Sequence, residues 1–358
     1  MKLQPLSAQS RFRPAIYGGI HALVDAACVA AVVRASHGST VGDLGAFWTV
    51  AGYDWLAFGL QFPLGLLVDR LRLARLSMIV GAAIAALVLA PGPIPSLATM
   101  IAAGVGNALF HLGAGGLVLR SSGGRAAPAG VFVAPGALGL GLGLWMGRTG
   151  RGSTFPIYVA LAFAVIALVT LDKPAADERN APSGAAAQPA VVPWLILLML
   201  LLVSVAVRSF VGFGACFQCA GGLAVVIGLP AAGFLGKLVG GMVADRLGWL
   251  RVSTGALLLS LPLIAFSGGS LFLALPGVLL FQSTMAVTLV AVYALMPRWP
   301  ATAFGLPCLA LIAGAFPTFV PAGKQLFGRW TFVLLIALSA AVLAVALHRL
   351  SRRGLAQD

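Results

Sequence analysis

The motif Gly-x-x-x-Asp-Arg occurs twice in this sequence, at residues 65–70 and 241–246. Asp69 and Asp245 are 176 residues apart in a chain of 358, so the motif falls at nearly the same place in each half. A repeat of this period indicates a duplicated architecture, and in an apolar chain it indicates a duplicated membrane bundle.

Each residue type of the motif has a physical role at a membrane boundary. The glycine lets two helices approach closely, and the aspartate can accept hydrogen bonds from the N-terminus of a neighbouring helix. An ordinary packing motif before a positive loop would explain one copy, but the half-chain repeat favours a functional role. We predict a gate built from both copies, with the residues Gly65, Asp69, Arg70, Gly241, Asp245 and Arg246.

The composition requires a membrane environment. Hydrophobic residues make up 60% of the chain and charged residues 9%, whereas a soluble protein has about 25% charged residues. Twelve apolar stretches are long enough to cross about 30 Å of hydrocarbon. Their approximate limits are 14–35, 44–68, 74–91, 95–119, 128–147, 154–171, 192–213, 220–244, 250–268, 270–296, 301–321 and 330–348.

The sequence therefore predicts an all-α membrane protein with twelve transmembrane helices in two six-helix bundles. The longest connection, 173–191, is rich in Ala and Pro and also contains Asp and Lys, which is typical of a linker. The predicted bundles are 1–172 and 192–358, joined by a cytoplasmic linker.

The net charge of +14 does not indicate nucleic-acid binding, because the basic residues lie at the ends of the apolar stretches and form no continuous patch. With a cytoplasmic N-terminus, 16 of the 23 Lys and Arg residues fall on the inner side and 6 on the outer side, with Lys237 inside a span. This bias predicts cytoplasmic termini. We expect a multi-pass protein of a bacterial inner membrane, without a cleavable signal peptide.

Six ionisable residues lie well inside the predicted spans. An ionisable group near the bilayer centre costs roughly 2.5–3.5 kcal/mol, so each of the six is a candidate site residue. None falls in the third, sixth, ninth or twelfth span, which is the distribution that a polar path through the other helices would produce. The six are His21, Asp25, Asp54, His111, Arg208 and Lys237.

Tyr17, His21 and Asp25 are spaced i, i+4, i+8 and therefore lie on one face of the first helix. A histidine and an aspartate on adjacent turns can share a proton. We predict that Asp25, tuned by His21, carries a coupled proton, with Asp54 as a further candidate. An internal ion pair that only neutralises two buried groups is the alternative.

Arg208 cannot lose its proton and needs an anionic partner, which is Asp25, Asp54 or a ligand. Its bidentate fork suits a carboxylate, phosphate or phosphonate. Asn107 with His111, and Ser204 with Arg208, form further i, i+4 pairs. The predicted substrate-binding residues are Arg208, His111, Asn107, Tyr17, Lys237 and Gln282.

Cys216 and Cys219 form a lone Cys-x-x-Cys in a short connection near the predicted outer surface. A zinc site of four cysteines needs a second pair, so the sequence predicts no metal site here or elsewhere. A disulfide and two unpaired thiols both remain open.

The two loop motifs resemble the signature of major facilitator superfamily transporters. Within that superfamily the chain resembles the fosmidomycin-resistance-like efflux group. The residues that carry the closer resemblance are His21 and Asp25, the stretch 104–111 that ends in His111, the glycine-rich stretch 136–143, and Arg208. The resemblance covers positions 21 to 251 and implies two rocking bundles around a central substrate path.

The leading function is a proton-driven secondary transporter that exports a small anionic or amphiphilic compound. Uptake of an anionic metabolite by symport is an alternative, and a non-transporting scaffold or sensor is an alternative of another class. The sequence lacks the Gly-x-x-x-x-Gly-Lys-Ser/Thr loop of ATP-driven proteins and any catalytic constellation. We therefore expect no enzyme and no cofactor. The expected partners are protons, a small-molecule substrate and the lipid bilayer, for a monomeric protein that binds no nucleic acid.

Overall fold

The computed structural model describes residues 8–37, 42–90, 95–172, 191–219 and 222–356. All regular structure in these ranges is helical. In chain order the helices of the first half are α1 (Ala8–His37), α2 (Gly42–Asp54), α3 (Gln61–Leu71), α4 (Ala74–Leu87), α5 (Ser96–Ser121), α6 (Ala126–Thr149) and α7 (Phe155–Thr170). Those of the second half are α8 (Val191–Gln218), α9 (Leu223–Leu247), α10 (Trp249–Ala265), α11 (Leu271–Gln282), α12 (Met285–Leu295), α13 (Pro300–Ala315), α14 (Pro321–Lys324) and α15 (Arg329–Ser351).

Eight helical segments in the described ranges are long and apolar enough to cross a membrane. They are α1, α5, α6, α8, α9, the consecutive pair α11–α12, α13 with the 3-10 turn that follows it, and α15. Three apolar helices, α4, α7 and α10, are shorter. The predicted linker, apart from Val191 at the start of α8, lies outside the described residues.

Two predicted spans are interrupted helices rather than continuous ones. The span predicted at 44–68 consists of α2, a π-helical turn at Trp55–Gly59, and α3. The span predicted at 270–296 breaks at Ser283 and Thr284, whose hydroxyls donate to the backbone carbonyls of Leu280 and Phe281. Hydroxyl side chains that bond to nearby carbonyls compete with the helical pattern, which average hydropathy does not reveal.

Helices of each half pack mainly against one another. α1 lies against α5 and α6, and α4 lies against α5; in the second half α15 lies against α8 and α10. The main contacts between the halves are α6 with α9, and α3 and α5 with α13. These contacts position the candidate site residues. One cluster of polar side chains lies on α1 and α5 against α6, and both motif aspartates lie where a helix of one half contacts a helix of the other.

Glycines in α6 allow backbone contact on two sides of that helix. A Cβ added at Gly139 would lie 2.2 Å from the carbonyl oxygen of Ala22 on α1. A Cβ at Gly130 would lie 2.6 Å from the carbonyl oxygen of Lys237 on α9. Small residues at helix interfaces in a membrane permit this close approach, which strengthens dispersion contacts between the helices. The glycine-rich stretch therefore brings α1 and α9 onto one central helix.

Candidate functional site

Four buried polar side chains from α1 and α5 form one cluster, which we call the His–Asp cluster: His21, Asp25, Asn107 and His111. The Nε2 atoms of His21 and His111 are 2.7 Å apart. His21 Nε2 lies 3.1 Å from Asp25 Oδ2, and His111 Nε2 lies 3.8 Å from Asp25 Oδ1. Asn107 donates from Nδ2 to Asp25 Oδ1 over 2.8 Å. Each of the four residues is at most 6% exposed, so bulk water does not satisfy these groups.

The Nδ1 atoms of both histidines contact backbone carbonyl oxygens. His21 Nδ1 lies 3.0 Å from the carbonyl oxygen of Phe132 on α6, and His111 Nδ1 lies 2.8 Å from that of Asn107. A carbonyl oxygen only accepts, so each Nδ1 carries a hydrogen. A neutral imidazole with a hydrogen on Nδ1 has a lone pair on Nε2, and the two Nε2 atoms face each other.

Two lone pairs at 2.7 Å repel unless a hydrogen lies between them. The geometry therefore assigns one shared hydrogen to the histidine pair, with the Asp25 carboxylate beside it to balance the positive charge.

Gly136 on α6 leaves the space that the cluster occupies. A Cβ at this position would lie 2.3 Å from His21 Nε2 and 2.8 Å from Asp25 Oδ2. Any larger residue at 136 would push the imidazole off the carboxylate. The glycine-rich helix thus accommodates the cluster as well as the backbone of α1.

Arg208 on α8 forms a second polar site, which we call the arginine site, with Ser204, Thr284 and Thr288. Its Nε donates to the Ser204 carbonyl oxygen at 3.1 Å, its Nη2 to Thr288 Oγ1 at 2.8 Å, and its Nη1 to Thr284 Oγ1. Both threonine hydroxyls donate onward to carbonyls of their own chain segment. The guanidinium is therefore held by neutral acceptors at the break between α11 and α12.

The arginine site contains no carboxylate among the described residues, although Arg208 is only 7% exposed. The sequence left Asp25, Asp54 or a ligand as its anionic partner, and in this structure neither aspartate pairs with it. A buried cation costs several kcal/mol unless it is compensated. The site thus retains the capacity to bind an anion.

Asp69, at the end of α3, binds the first turn of α13. Its carboxylate accepts from the backbone N–H of Ala301 at 3.0 Å and of Thr302 at 2.8 Å, and from the Thr302 hydroxyl at 2.8 Å. Gly65, one turn earlier, brings the two helices together, because a Cβ there would lie 2.9 Å from the Thr302 Cα. We call this contact the Asp69 clamp.

Asp245, at the end of α9, binds the first turn of α6 in the same way. Its oxygens accept from the N–H groups of Ala126 and Ala127, each at 2.8 Å, and from Trp249 Nε1 at 3.1 Å. A Cβ at Gly241 would lie 2.8 Å from the Ala126 carbonyl oxygen. This Asp245 clamp and the Asp69 clamp both join one half of the chain to the other.

Arg70 and Arg246, the basic residues of the two motifs, are exposed beside the clamps. Neither side chain takes part in the hydrogen bonds that hold α13 or α6. A motif arginine next to a boundary aspartate therefore stays in water, as its position at the end of an apolar helix predicts.

Four predicted site residues lie outside both polar sites. Tyr17 is buried and donates to Asp172 Oδ2 at 2.9 Å, although it shares the helix face of His21 and Asp25. Eight residues of helix extend about 12 Å, so Tyr17 lies at another depth than Asp25. Asp54 is half-buried where α2 meets the π-helical turn, and Gln282 is half-buried at the end of α11. Lys237 is half-buried on α9, within electrostatic range of Asp25 and His111.

Several polar partners in the structure were not predicted from the sequence. Thr284 and Thr288 are spaced i, i+4, and that spacing in an apolar span was a usable signal for the arginine site. Asp172 is the centre of a network, where Arg13 pairs with its carboxylate at 3.1 Å and Arg75 Nε donates to its backbone carbonyl at 2.7 Å. The position of Asp172 at the end of an apolar stretch did not predict its contacts with two arginines.

The structure describes three of the four cysteine side chains. Cys28, Cys219 and Cys308 all have free thiols. Cys28 and Cys219 are buried, and Cys308 is half-buried. The side chain of Cys216 lies outside the described residues.

Comparisons with known proteins identify the fold. No protein-family model and no curated protein matches the sequence. Among solved structures, a variant of the E. coli fucose:proton symporter FucP matches with a TM-score of 0.62 and 13% identity, over 95% of this chain and 98% of that one. FucP in its outward conformation gives a TM-score of 0.58 and 13% identity, over 92% and 97%. The human organic anion transporter MFSD10 (TETRAN) gives 0.62 and 17% identity, over 94% and 100%. The chain therefore has the fold of the major facilitator superfamily transporters.

Proposed function

We propose that this protein is a proton-coupled secondary transporter that moves a small anionic compound by alternating access. The observation that carries the proposal is the 2.7 Å contact between the Nε2 atoms of His21 and His111 beside Asp25. A proton relay in a membrane needs titratable side chains that face one another away from bulk water. FucP, a fucose:proton symporter by name, supports proton coupling in a protein of this fold.

We assign Asn107 and His111 to the proton site rather than to the substrate site. Their contacts with Asp25 and His21 support this change from the sequence-based assignment. Asp25 and the histidine pair together hold the coupled proton, with Asp25 as the charge that binds it, and Asn107 orients the carboxylate. Asp54 does not contact the cluster and is kept as a second candidate.

The anionic part of the substrate binds Arg208 in this proposal. The guanidinium is buried and held only by hydroxyl and carbonyl oxygens, so its positive charge is available to an anion. Lys237 on α9 supplies a second cation within electrostatic range of Asp25, at another point of the proposed path, and Gln282 lies next to the helix break. MFSD10, named an organic anion transporter, supports this substrate class.

We propose twelve spans in two six-helix domains, 1–172 and 192–358. The eight long helices, the three shorter apolar helices and the interrupted α2–α3 pair add up to this number. The end that carries both clamps is assigned to the cytoplasm, because most Lys and Arg residues lie on that side. Two closed clamps at this end support a state closed toward the cytoplasm, in a monomer of a bacterial inner membrane.

The proposal is tested in proteoliposomes with a panel of labelled carboxylates, phosphates and phosphonates, with and without a pH gradient. We expect gradient-driven movement of one class, and Asp25→Asn should abolish it while substrate exchange at equal pH continues. The gradient direction that drives accumulation separates export from symport uptake. If Asp25→Asn retains gradient-driven transport, the proton site is elsewhere, and the same assay on Asp54→Asn tests the second candidate.

A further inference from the structure

The His–Asp cluster has the donor set of a transition-metal site. His21 Nε2, His111 Nε2 and an Asp25 carboxylate oxygen all lie within 4.8 Å of one another, and all three residues are buried. Two imidazoles with one carboxylate favour Zn²⁺, Co²⁺ or Ni²⁺ over Mg²⁺ and Ca²⁺, which prefer oxygen ligands. No metal site was predicted from the sequence, because the two histidines are on different helices and 90 residues apart.

The contacts around the three donors are those of metal-binding side chains. A histidine that binds a metal through one nitrogen usually donates the other N–H to a carbonyl or carboxylate, which fixes the tautomer and the ring orientation. Both Nδ1 atoms do so here, to Phe132 and Asn107. Asn107 Nδ2 also holds the Asp25 carboxylate. Every donor therefore has a partner that turns its lone pair toward the centre of the cluster.

The spacing of the donors is close to that of a tetrahedral site. Ligands at about 2.0–2.1 Å from zinc lie about 3.3 Å from one another. The two Nε2 atoms are 2.7 Å apart, His21 Nε2 lies 3.1 Å from Asp25 Oδ2, and His111 Nε2 lies 3.8 Å from Asp25 Oδ1. These distances bracket that value for a carboxylate that offers one oxygen to each side of the metal. Entry of a metal would therefore require the two imidazoles to separate by about 0.6 Å while His111 moves toward the carboxylate.

The Asn107 amide, part of the cluster, has an unsatisfied buried oxygen. Asn107 is 1% exposed, and its Oδ1 is a buried acceptor without a hydrogen-bond partner among the described residues. Buried polar atoms of this kind usually have a partner in a native structure, and its lack calls for a ligand or a water molecule. A metal held by three protein ligands keeps a fourth position open for a water molecule, and Asn107 Oδ1, on the amide that bonds to Asp25, is an unsatisfied acceptor for such a water.

We propose that the His–Asp cluster binds one divalent transition-metal ion of the Zn²⁺ and Co²⁺ class. The metal replaces the hydrogen that the histidine pair shares, and that proton leaves to solvent. The other titratable and charged groups that interact with the cluster are Lys237, Cys28, Tyr53 and Cys308. The inference concerns the cluster that the proposed function uses for the proton, but it rests only on the donor geometry.

The test is Co²⁺ and Zn²⁺ binding to the purified full chain, prepared with an affinity tag that contains no histidine. We expect one ion per chain by calorimetry and a Co²⁺ absorption spectrum of four-coordinate intensity. His21→Gln and His111→Gln should each weaken binding by at least about 100-fold, because each removes one metal bond. The chain has four histidines, so His37→Gln and His348→Gln, at exposed helix ends, are matched controls that should bind like the unchanged protein.

Asn107→Ala provides a variant that keeps all three ligands. It should weaken binding by about 10- to 100-fold, which is the usual effect of losing a group that orients a ligand. Lack of Co²⁺ binding by the unchanged protein, an octahedral spectrum, or full affinity in a folded His111→Gln would each overturn the proposal. Lack of Co²⁺ binding and an octahedral spectrum are both measured on the unchanged protein. The proposal can therefore be overturned even if a histidine variant does not fold.

The metal site and the proposed proton-coupled function can be rejected independently of each other. Gradient-driven transport in metal-free proteoliposomes, together with no metal binding, would reject the metal site and leave the proton site intact. Metal binding without gradient-driven transport would reject the proton-coupled function and leave the metal site.

Discussion

At the scale of single residues, the two polar sites differ in how their charges are balanced. The His–Asp cluster contains its own carboxylate, whereas the arginine site has only neutral acceptors around a buried guanidinium. A site with internal charge balance suits a proton, which must be bound and released at little cost. A site with an uncompensated cation suits an anionic ligand that arrives from outside.

Arg208→Lys tests the arginine site. The planar fork can offer two parallel hydrogen bonds to a carboxylate or phosphate, and an ammonium offers only a point charge. We expect substrate affinity to fall about 10- to 100-fold, because each lost bond to a charged group contributes about 1.5–3 kcal/mol and the ammonium recovers part of that. The measurement is equilibrium binding of the labelled substrate, and Arg329→Lys, at an exposed helix start, is the matched control.

Two results together would contradict the substrate-binding role of Arg208. One is unchanged affinity in Arg208→Lys, and the other is rescue of Arg208→Ala by neutralising Asp25 or Asp54. That combination would mean that Arg208 balances an internal carboxylate in another state of the protein. In the present structure it pairs with neither.

The residues of one helix were easier to predict than the contacts between helices. The i, i+4 spacing placed His21 next to Asp25, and the structure contains that pair at 3.1 Å. The same rule grouped Tyr17 with them, but its hydroxyl reaches Asp172 instead. The meeting of His111 with His21 depends on how α1 and α5 are aligned, and spacing within a single helix carries no information about that alignment.

At the scale of helices, each clamp joins the end of one helix to the start of another. The first N–H groups of a helix have no partner inside it, so a carboxylate there is stabilised by both hydrogen bonds and the helix dipole. The sequence predicted this type of contact from an aspartate at a helix end. It did not predict that Asp69 would bind α13 and Asp245 would bind α6, because partner choice depends on how the halves assemble.

Asp69→Asn tests whether the clamp acts as a gate. The amide can still accept one hydrogen bond but loses the charge that the helix N-terminus favours, at a cost of about 0.3–1 kcal/mol. We expect slower transport with nearly unchanged substrate binding, because the closed state at this end becomes less populated. Thr302→Val, which removes one of the three donors to Asp69, should give a smaller effect in the same direction.

Ser121→Ala is the matched control for these variants, since its hydroxyl bonds only to carbonyls of its own helix. Rates are compared by counterflow in proteoliposomes, alongside equilibrium binding. Normal turnover in Asp69→Asn would mean that the motif serves only to pack helices.

At the scale of the whole molecule, both clamps lie at the same end of the bundle as the Asp172 network. Arg75, at the start of α4, bonds to the end of α7 through the carbonyls of Leu168 and Val169, and it also bonds to the Asp172 carbonyl. Asp69 lies in the last turn of α3, the helix just before α4, so the clamp and the network are adjacent along the chain. A bundle tied together at one end can open only at the other, which is how alternating access is organised in rocking two-domain transporters.

The topology decides which end of the bundle faces the cytoplasm, and the labelling of single cysteines tests it. In a chain whose four cysteines are replaced by serine or alanine, single cysteines at 180 and 355 should react with a membrane-impermeant maleimide only from the cytoplasmic side. A cysteine at Arg151, exposed in the connection between α6 and α7, should react only from outside and controls for vesicle integrity. The expectation follows from the excess of basic residues around 180 and 355, since positive charges are retained on the cytoplasmic side during insertion. Labelling of 180 or 355 from outside would place both clamps at the outer face, and the gate proposed for the cytoplasm would then control entry from the opposite compartment.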